Sequence, residues 1–266
     1  MSASEKSTVA IIAHRGLPTL APENTLPAFR KAVELGVEYL EVDVQQTTDG
    51  HLVVLHDKSV SRTTNGGGNL REYTLDELKK LDAGSWFSDA FEGEQVPTLQ
   101  EVVNVLDDRT KLLLEIKYGS PYHDGIEGRL IDFIREHRLE DRVLIKSFDP
   151  NVIKRVRSLA PEIPVGISIV FRIPFLSLIV HRGVRFGNVL EEDVDFIHVH
   201  RIGMTEALVA RSHKRGISVI AWDVHDESTM RRFIAYGVDA IETDEAELLK
   251  EIRPAGTSNK IKKRRE

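Results

Sequence analysis

The chain has no cysteine among its 266 residues. This absence excludes a disulfide scaffold, thiolate zinc sites, iron–sulfur clusters and a cysteine nucleophile. Long hydrophobic runs are also absent. The most apolar stretch, residues 167–180, is interrupted by Arg172 and Pro174 and is shorter than the ~20 residues that a membrane span needs. Residues 9–13 are too short for the apolar core of a secretion signal. We therefore expect a soluble, cytoplasmic protein.

Basic residues are fewer than acidic ones, 36 against 42, so the formal net charge is −6. Residues 260–266 carry five basic residues and one glutamate, so residues 1–259 carry a net charge of −10. An acidic body does not suit general nucleic-acid binding, which needs many phosphate contacts. The basic tail, residues 253–266, is either solvated or in contact with an anionic membrane or RNA, and we favour solvation.

Short apolar runs alternate with amphipathic runs along the rest of the chain. The apolar runs are rich in Val, Ile and Leu and lack strict alternation, which is typical of parallel strands covered on both faces. The predicted strands are residues 9–13, 39–44, 112–116, 143–145, 165–170, 196–199, 218–222 and 240–242. The predicted helices are residues 26–35, 98–106, 125–137, 150–159, 204–214, 226–236 and 245–252. This order predicts a (β/α)8 TIM barrel over residues 9–252, after a polar leader of residues 1–8; an open doubly wound sheet is the alternative.

The region of about residues 45–97 interrupts this alternation after the second strand. It contains a further strand-like run at residues 51–55, a glycine-rich loop at residues 65–68 and a short predicted helix at residues 75–81. The sequence therefore predicts a small insertion. At the C-terminal end of a barrel strand, such an insertion would help to form the mouth of an active site.

Acidic residues occur where the predicted strands end, and barrel enzymes build their sites at these ends. Glu41 and Asp43 are two apart on the second strand, so their side chains point to the same face. Glu115 lies on the third strand. A single acid at a strand end is usually a helix cap or a surface ion pair, but a cluster of carboxylates forms a hard-oxygen site that suits Mg²⁺ or Ca²⁺. Buried without a cation, it would be costly.

Basic and aromatic residues accompany these carboxylates. Arg15 offers a planar fork for phosphate oxygens, and Lys117 adds a movable point charge. His14 and His56 are natural proton donors and acceptors near neutral pH. Together with the acidic residues they predict metal-assisted phosphoryl transfer with two histidines. Trp222 either packs in the core or forms a platform for substrate.

Other features leave alternatives open. His198 and His200 alternate on a predicted strand, where they either add to the site or occupy core positions. Five further histidines are expected at ordinary surface or loop positions: His51, His123, His137, His181 and His213. Residues 171–180 are either a packing segment, which we favour, or a lid or lipid-facing edge.

Six motifs, in order over residues 9–249, resemble those of the glycerophosphodiester phosphodiesterase family. They are Ala13-His14-Arg15-Gly16 with residues 21–25, Glu41-Val42-Asp43-Val44, His56-Asp57 with residues 62–64 and 66–68, residues 97–99, residues 114–117, and residues 147–150. A single motif of this kind would be weak support, whereas six in the same order are specific.

The resemblance implies a barrel hydrolase that converts small-molecule glycerophosphodiesters to sn-glycerol 3-phosphate and an alcohol. The roles that it implies are divalent metal binding by Glu41, Asp43 and Glu115, general acid/base catalysis by His14 and His56, phosphate binding by Arg15 and Lys117, a glycerol-side aromatic at Trp222, and support from Glu23 in the first loop. The same chemistry on lysophospholipids is the nearest alternative. A non-catalytic barrel that only binds a phosphate ligand is an alternative of another class, and the complete set of motif residues argues against it.

Two positions depart from the family pattern. Asp223-Val224-His225 stands after Trp222, where the family commonly has Thr-Val-Asn. Near the eighth strand, Ala246 stands where a proline usually follows. Both departures lie on the substrate side of the expected site, so they concern the preference for a head group rather than the reaction type.

Overall fold

A computed structural model describes residues 7–170, 193–258 and 261. Its strands are β1 (Ser7–Thr8), β2 (Ala10–Ala13), β3 (Tyr39–Gln46), β4 (Leu52–Val54), β5 (Lys111–Ile116), β6 (Val143–Ser147), β7 (Val165–Ile169), β8 (Phe196–His200), β9 (Ser218–Trp222), β10 (Ala240–Thr243) and β11 (Thr257–Ser258). Its α-helices are α1 (Leu26–Leu35), α2 (Leu75–Leu78), α3 (Leu99–Val103), α4 (Ile126–Glu136), α5 (Pro150–Leu159), α6 (Glu206–His213), α7 (Glu227–Tyr236) and α8 (Ala246–Ile252). The apolar segment of residues 171–180 lies outside the described residues.

Eight parallel strands close into a barrel, with helices between them. The order around the barrel is β2, β3, β5, β6, β7, β8, β9 and β10, and β10 pairs with β2. The predicted (β/α)8 barrel is therefore confirmed. The open doubly wound sheet is excluded, because such a sheet has two unpaired edges.

Local sequence signals account for several helix ends. Gly36 after α1 and Gly237 after α7 adopt left-handed conformations with φ of 77° and 80°, and their N–H groups bond back to the last helical turn. Thr98 and Glu101 form the predicted capping box at the start of α3. That helix ends at Val103, three residues earlier than predicted.

The interior of the barrel is layered, and this layering positions the site. The floor is a buried apolar cluster that contains Tyr39, Leu113, Leu144, Phe196 and Ala240. Because side chains alternate across a strand, the residues two positions further along face the same interior. These residues are polar, namely Glu41, Glu115, Lys146, His198 and Glu242. A charged layer therefore rests on an apolar floor, towards the C-terminal ends of the strands.

The inserted region packs beside the mouth of the barrel. Its strand β4 pairs antiparallel with β3, and Val44 lies opposite Val54. The region has its own small apolar cluster, whose members are Val53, Leu55, Val60, Leu70, Leu78, Ala83 and Val96. Of the helices in residues 7–170 and 193–258, none combines the length and apolar character needed to cross a membrane.

Candidate functional site

Three carboxylates meet at the C-terminal end of the barrel. Glu41 and Asp43 project from β3 and Glu115 projects from β5, and all three are at most 2% exposed. The register of the two strands places Asp43 beside Glu115. One oxygen from each side chain lies within 4.8 Å of the other two, so the three could share one cation.

Two basic residues predicted for the site lie against these carboxylates. Lys117 Nζ is 2.8 Å from Glu115 Oε1 and 3.2 Å from Asp43 Oδ1. Arg15 Nε is 3.2 Å from Asp43 Oδ2, while its Nη1 donates to Glu23 Oε1 at 2.8 Å. Both cations are therefore fixed at the rim of the cluster, where an anionic substrate would meet them.

The loop between β2 and α1 carries His14 and Arg15 over the end of the barrel. Arg15 and Gly16 have positive φ values, 57° and 91°. In this turn the Arg15 N–H donates to Glu41 Oε2 at 3.2 Å. Further along the loop, Asn24 Nδ2 donates to Asp43 Oδ2 at 2.9 Å. The loop thus supplies side chains to the site and also holds two of its carboxylates.

Sequence reasoning missed further charged residues that lie in the same layer as Glu41 and Glu115. Lys146, on β6, is buried, and its Nζ lies 3.0 Å from Glu41 Oε1, 3.1 Å from Glu115 Oε2 and 3.2 Å from Glu242 Oε2. Glu242, on β10, also accepts from His198 Nε2 at 2.9 Å. The only sequence signal was a polar residue next to or within each of two apolar runs, Lys146 after residues 143–145 and Glu242 in residues 240–242.

Trp222 lies at the end of β9, three strands around the barrel from β3. Its ring stacks on His198 with centroids 5.3 Å apart and planes 12° apart, and it meets Phe148 edge-on at 5.9 Å. The Nε1 atom is buried, and no described residue accepts from it. Trp222 is therefore connected to the acidic cluster through His198 and Glu242. His198 itself is buried, and its ring nitrogens contact Ser168 and Glu242.

Burial and the surrounding charges raise the pKa of Glu41 but leave the pKa values of Glu115 and Asp43 below their usual range. Burial, followed by repulsion from Asp43, raises the pKa of Glu41 to about 7. Burial alone would also raise the pKa of Glu115, but the ammonium groups of Lys117 and Lys146 lower it to about 2. The same competition leaves the pKa of Asp43 well below its usual range, because Lys117 and Arg15 outweigh burial.

The two histidines predicted to be catalytic have different environments. His14 is held by Asp244, whose Oδ1 is 2.7 Å from Nδ1, and its Nε2 is 3.9 Å from Glu242 Oε1. Burial lowers the pKa of His14, but the hydrogen bond to Asp244 acts in the opposite direction, and the pKa is raised overall. His56 Nδ1 is 2.6 Å from Asp57 Oδ1. Burial lowers the pKa of His56, and Lys117 and Arg15 lower it further.

Other polar residues near the site make ion pairs and ring contacts with their neighbours. Glu23 joins Arg15 to Arg62, whose guanidinium donates twice at 2.8 Å. At the departure after Trp222, Asp223 Oδ2 pairs with His200 Nε2 at 2.9 Å. His123 lies on a loop, as expected, but it is only 3% exposed, because it packs on Tyr122 with ring centroids 4.7 Å apart.

The chemistry of this donor set fits a divalent metal. All three candidate ligands are carboxylate oxygens, which Mg²⁺ and Ca²⁺ prefer. Glu41 Oε1 and Asp43 Oδ1 are buried, and each lies in ion-pair range of a lysine without accepting a well-oriented hydrogen bond. The ion-paired residues of the site comprise four carboxylates and three basic side chains, from Glu41, Asp43, Glu115, Glu242, Arg15, Lys117 and Lys146. With His14 neutral, these seven side chains carry a formal net charge of −1, which favours a cation at the cluster.

Comparison with known proteins gives a consistent result. The sequence model of the glycerophosphoryl diester phosphodiesterase family matches residues 14–248. A glycerophosphodiester phosphodiesterase of Caldanaerobacter subterraneus subsp. tengcongensis is 40% identical over 242 residues, which cover 90% of this chain and 95% of that protein. A glycerophosphodiester phosphodiesterase of Bacillus altitudinis is 30% identical, over 88% of this chain and 94% of that protein. The structure of an Oleispira antarctica phosphodiesterase in complex with the product sn-glycerol-3-phosphate is 31% identical, with a TM-score of 0.82 and 92% and 96% covered.

Proposed function

Because the chain belongs to the glycerophosphoryl diester phosphodiesterase family and is a phosphoric diester hydrolase, we propose that it releases sn-glycerol 3-phosphate by metal-assisted histidine catalysis. The observation that carries the proposal is the buried cluster of Glu41, Asp43 and Glu115 beside cationic side chains. The product is the one named for the Oleispira antarctica phosphodiesterase. A small glycerophosphodiester is therefore the proposed substrate.

The acidic cluster and its cations would divide the work of binding the phosphate. Glu41, Asp43 and Glu115 would hold Mg²⁺ or Ca²⁺, which when bound supplies Lewis-acid stabilisation of negative charge on phosphate oxygens. Arg15 and Lys117 would hold the phosphate oxygens from the protein side. Their contacts with Asp43 fix both cations before substrate arrives, so little reorganisation is needed in the transition state.

The environments of the two histidines support opposite roles. His14, flanked by Asp244 and Glu242, is stabilised as a cation and would donate a proton to the leaving alcohol. His56, near Lys117 and Arg15, is disfavoured as a cation and would accept a proton from the nucleophile. Groups whose pKa values are pushed apart in this way form a natural acid and base pair. The nucleophile is either water or the glycerol 2-hydroxyl of the substrate.

The test measures choline release from glycerophosphocholine and from lysophosphatidylcholine in parallel. A coupled assay for sn-glycerol 3-phosphate is added for the first substrate, because the second would yield lysophosphatidate instead. We expect release from the deacylated diester, its loss in EDTA, and its recovery when Mg²⁺ or Ca²⁺ is restored. Full activity in EDTA would reject the metal. Turnover of the lysophospholipid alone would favour the alternative substrate.

The histidine roles are tested by His14→Gln and His56→Gln, with the exposed His51→Gln as the matched control. We expect each site variant to lose at least about 100-fold in kcat while it keeps its Tm and its metal affinity. The control should match the unaltered enzyme. Near-normal turnover in either site variant would contradict the assignment of that histidine.

A further inference from the structure

A cavity opens beside the proposed phosphate site. It has a volume of about 520 Å³, and its walls include Lys117, Tyr118, Tyr122, Phe148 and Asp149. This volume lies within the range of small-molecule pockets. Since Lys117 is shared by the cavity and the acidic cluster, a group attached to a phosphate on Lys117 can extend into the cavity.

Every aromatic ring in these walls already has a protein cation near it. Lys58 Nζ lies 4.8 Å from the ring centroid of Tyr118 and 4.6 Å from that of Tyr122. The guanidinium carbon of Arg71 is 4.5 Å from the centroid of Tyr122. Lys117 Nζ is 6.0 Å from the centroid of the third ring, that of Phe148. A quaternary ammonium head group binds to aromatic faces, and here it would have to compete with these cations.

In the described part of the chain, Lys58 and Arg71 have no carboxylate in direct contact, although Asp57 and Glu72 act electrostatically on the same two tyrosines. Among the residues that the structure describes, no carboxylate lies within 4 Å of the charged groups of Lys58 or Arg71. Glu72, the neighbour of Arg71, accepts instead from Asn69 Nδ2 at 2.8 Å. Asp149 lines the cavity, but its Oδ1 accepts from the backbone and side chain of Asn151, at 2.8 and 3.0 Å, and caps α5. The helix dipole partly offsets that charge.

A neighbouring histidine is consistent with a positive field at this position. His123 packs on Tyr122 and lies 6.4 Å from the centroid of Tyr118. Burial, followed by the charges of Arg71 and Lys58, lowers the pKa of His123 to about 4. The histidine is thus neutral at pH 7, and the two exposed cations, Lys58 and Arg71, lie against the tyrosine rings that line the cavity.

We propose that this cavity receives the head group of the diester, and that Lys58 and Arg71 select head groups carrying a phosphate or a carboxylate over cationic ones such as choline. The proposal rests on the proposed function, because it places the scissile phosphate on Lys117. It accounts for the positions of two exposed cations that the catalytic site does not require.

The experiment compares kcat/KM for three diesters with the metal-loaded enzyme. Glycerophosphoinositol 4-phosphate and glycerophosphoinositol differ only in one phosphate, and glycerophosphocholine supplies the cationic head group. We expect the order inositol 4-phosphate, inositol, choline. The double variant Lys58→Met/Arg71→Met removes both charges and retains long side chains. In this variant the kcat/KM for glycerophosphoinositol 4-phosphate, divided by that for glycerophosphocholine, should fall at least about tenfold, mainly through KM.

Lys214→Met, an exposed lysine at the end of α6, is the matched control and should retain the order and the ratio. A preference for choline in the unaltered enzyme, or an unchanged ratio in the double variant, would overturn the proposal. Failure of the proposed function gives a different result, since no sn-glycerol 3-phosphate would then be released from any of the three diesters.

Discussion

Lys146 is a buried cation in contact with carboxylates on three strands, because Glu41 comes from β3, Glu115 from β5 and Glu242 from β10. Although burial opposes it, attraction to these carboxylates, led by Glu242, keeps the pKa of Lys146 well above its ordinary value. The ammonium group therefore replaces part of the charge that a metal would otherwise have to supply. If the cluster binds a metal as proposed, we expect metal binding and protein stability to be coupled at this residue.

Replacing Lys146 with Met tests this coupling. We expect the metal-free variant to be less stable by about 3–5 kcal/mol, because it leaves buried carboxylates without their counter-charge. The rise in Tm on adding Mg²⁺ or Ca²⁺ should be larger than in the unaltered protein, since a divalent ion then relieves more repulsion. Thermal unfolding in EDTA and in metal measures both effects, with Lys214→Met as the exposed control. An unchanged metal-induced shift would show that Lys146 has only a packing role.

Asp244 affects the proposed acid, His14, and the effect has a definite sign. Asp244→Asn removes the charge that stabilises the imidazolium, so the pKa of His14 should fall. If His14 must be protonated to act as acid, the alkaline limb of the kcat/KM profile reports its deprotonation. That limb should therefore move to lower pH by about 0.5–1 unit, while the acid limb, set by His56, stays in place. Movement of the acid limb instead would reverse the two roles.

Among the connecting elements, the β2–α1 loop holds His14 and Arg15 by a close approach of its backbone to α1. A Cβ built on Gly16 would lie 2.6 Å from the backbone carbonyl carbon of Ala28, and φ at Gly16 is 91°. Space and backbone conformation thus both require glycine at the end of the His-Arg-Gly motif. The motif is as much a requirement for loop geometry as for chemistry.

Gly16→Ala should therefore displace the loop. We expect a loss of more than about 1 kcal/mol in the free energy of unfolding. A loss of about 100-fold in kcat/KM should accompany it, because small displacements of positioned groups are costly. Gly67→Ala is the matched control, since nothing lies within 4 Å of its added Cβ and its φ is not positive. Urea unfolding and the coupled assay measure the two losses, and equal behaviour of the two variants would contradict this account.

The strands also show why part of the site could be predicted and part could not. Glu41 and Asp43 form a pattern within one strand, so the sequence alone places them on one face. Lys146 falls just beyond the predicted strand of residues 143–145, and Glu242 is a single acid in an apolar run. They meet only because the barrel brings together residues that are 96 apart in sequence. Inter-strand register is a non-local property, and no spacing rule reports it.

At the scale of the whole molecule, β1, β11 and Ile261 lie at the end of the barrel that carries the apolar floor. Ser7–Thr8 pair in parallel with Thr257–Ser258, and Thr8 Oγ1 donates to the Pro254 carbonyl at 2.7 Å. Ile261 is 5% exposed and belongs to the apolar floor that contains Tyr39. Burial there raises the pKa of Tyr39 to about 12. The segment set apart by its basic charge therefore contributes an apolar side chain to the barrel.

These two features of the C-terminal segment can be separated experimentally. Ile261→Ala should cost about 2–4 kcal/mol, because it empties a buried position beneath the barrel, and at about 2–4 °C per kcal/mol the loss is visible in Tm. Changing Lys262, Lys263, Arg264 and Arg265 to Gln should leave both Tm and glycerophosphodiester turnover unchanged, as expected for solvated charges. Vesicles containing anionic lipid provide the second readout. If the variant with four glutamines lost vesicle binding shown by the unaltered protein, the basic residues would have a membrane role. An unchanged Tm in Ile261→Ala would refute the structural role of the segment.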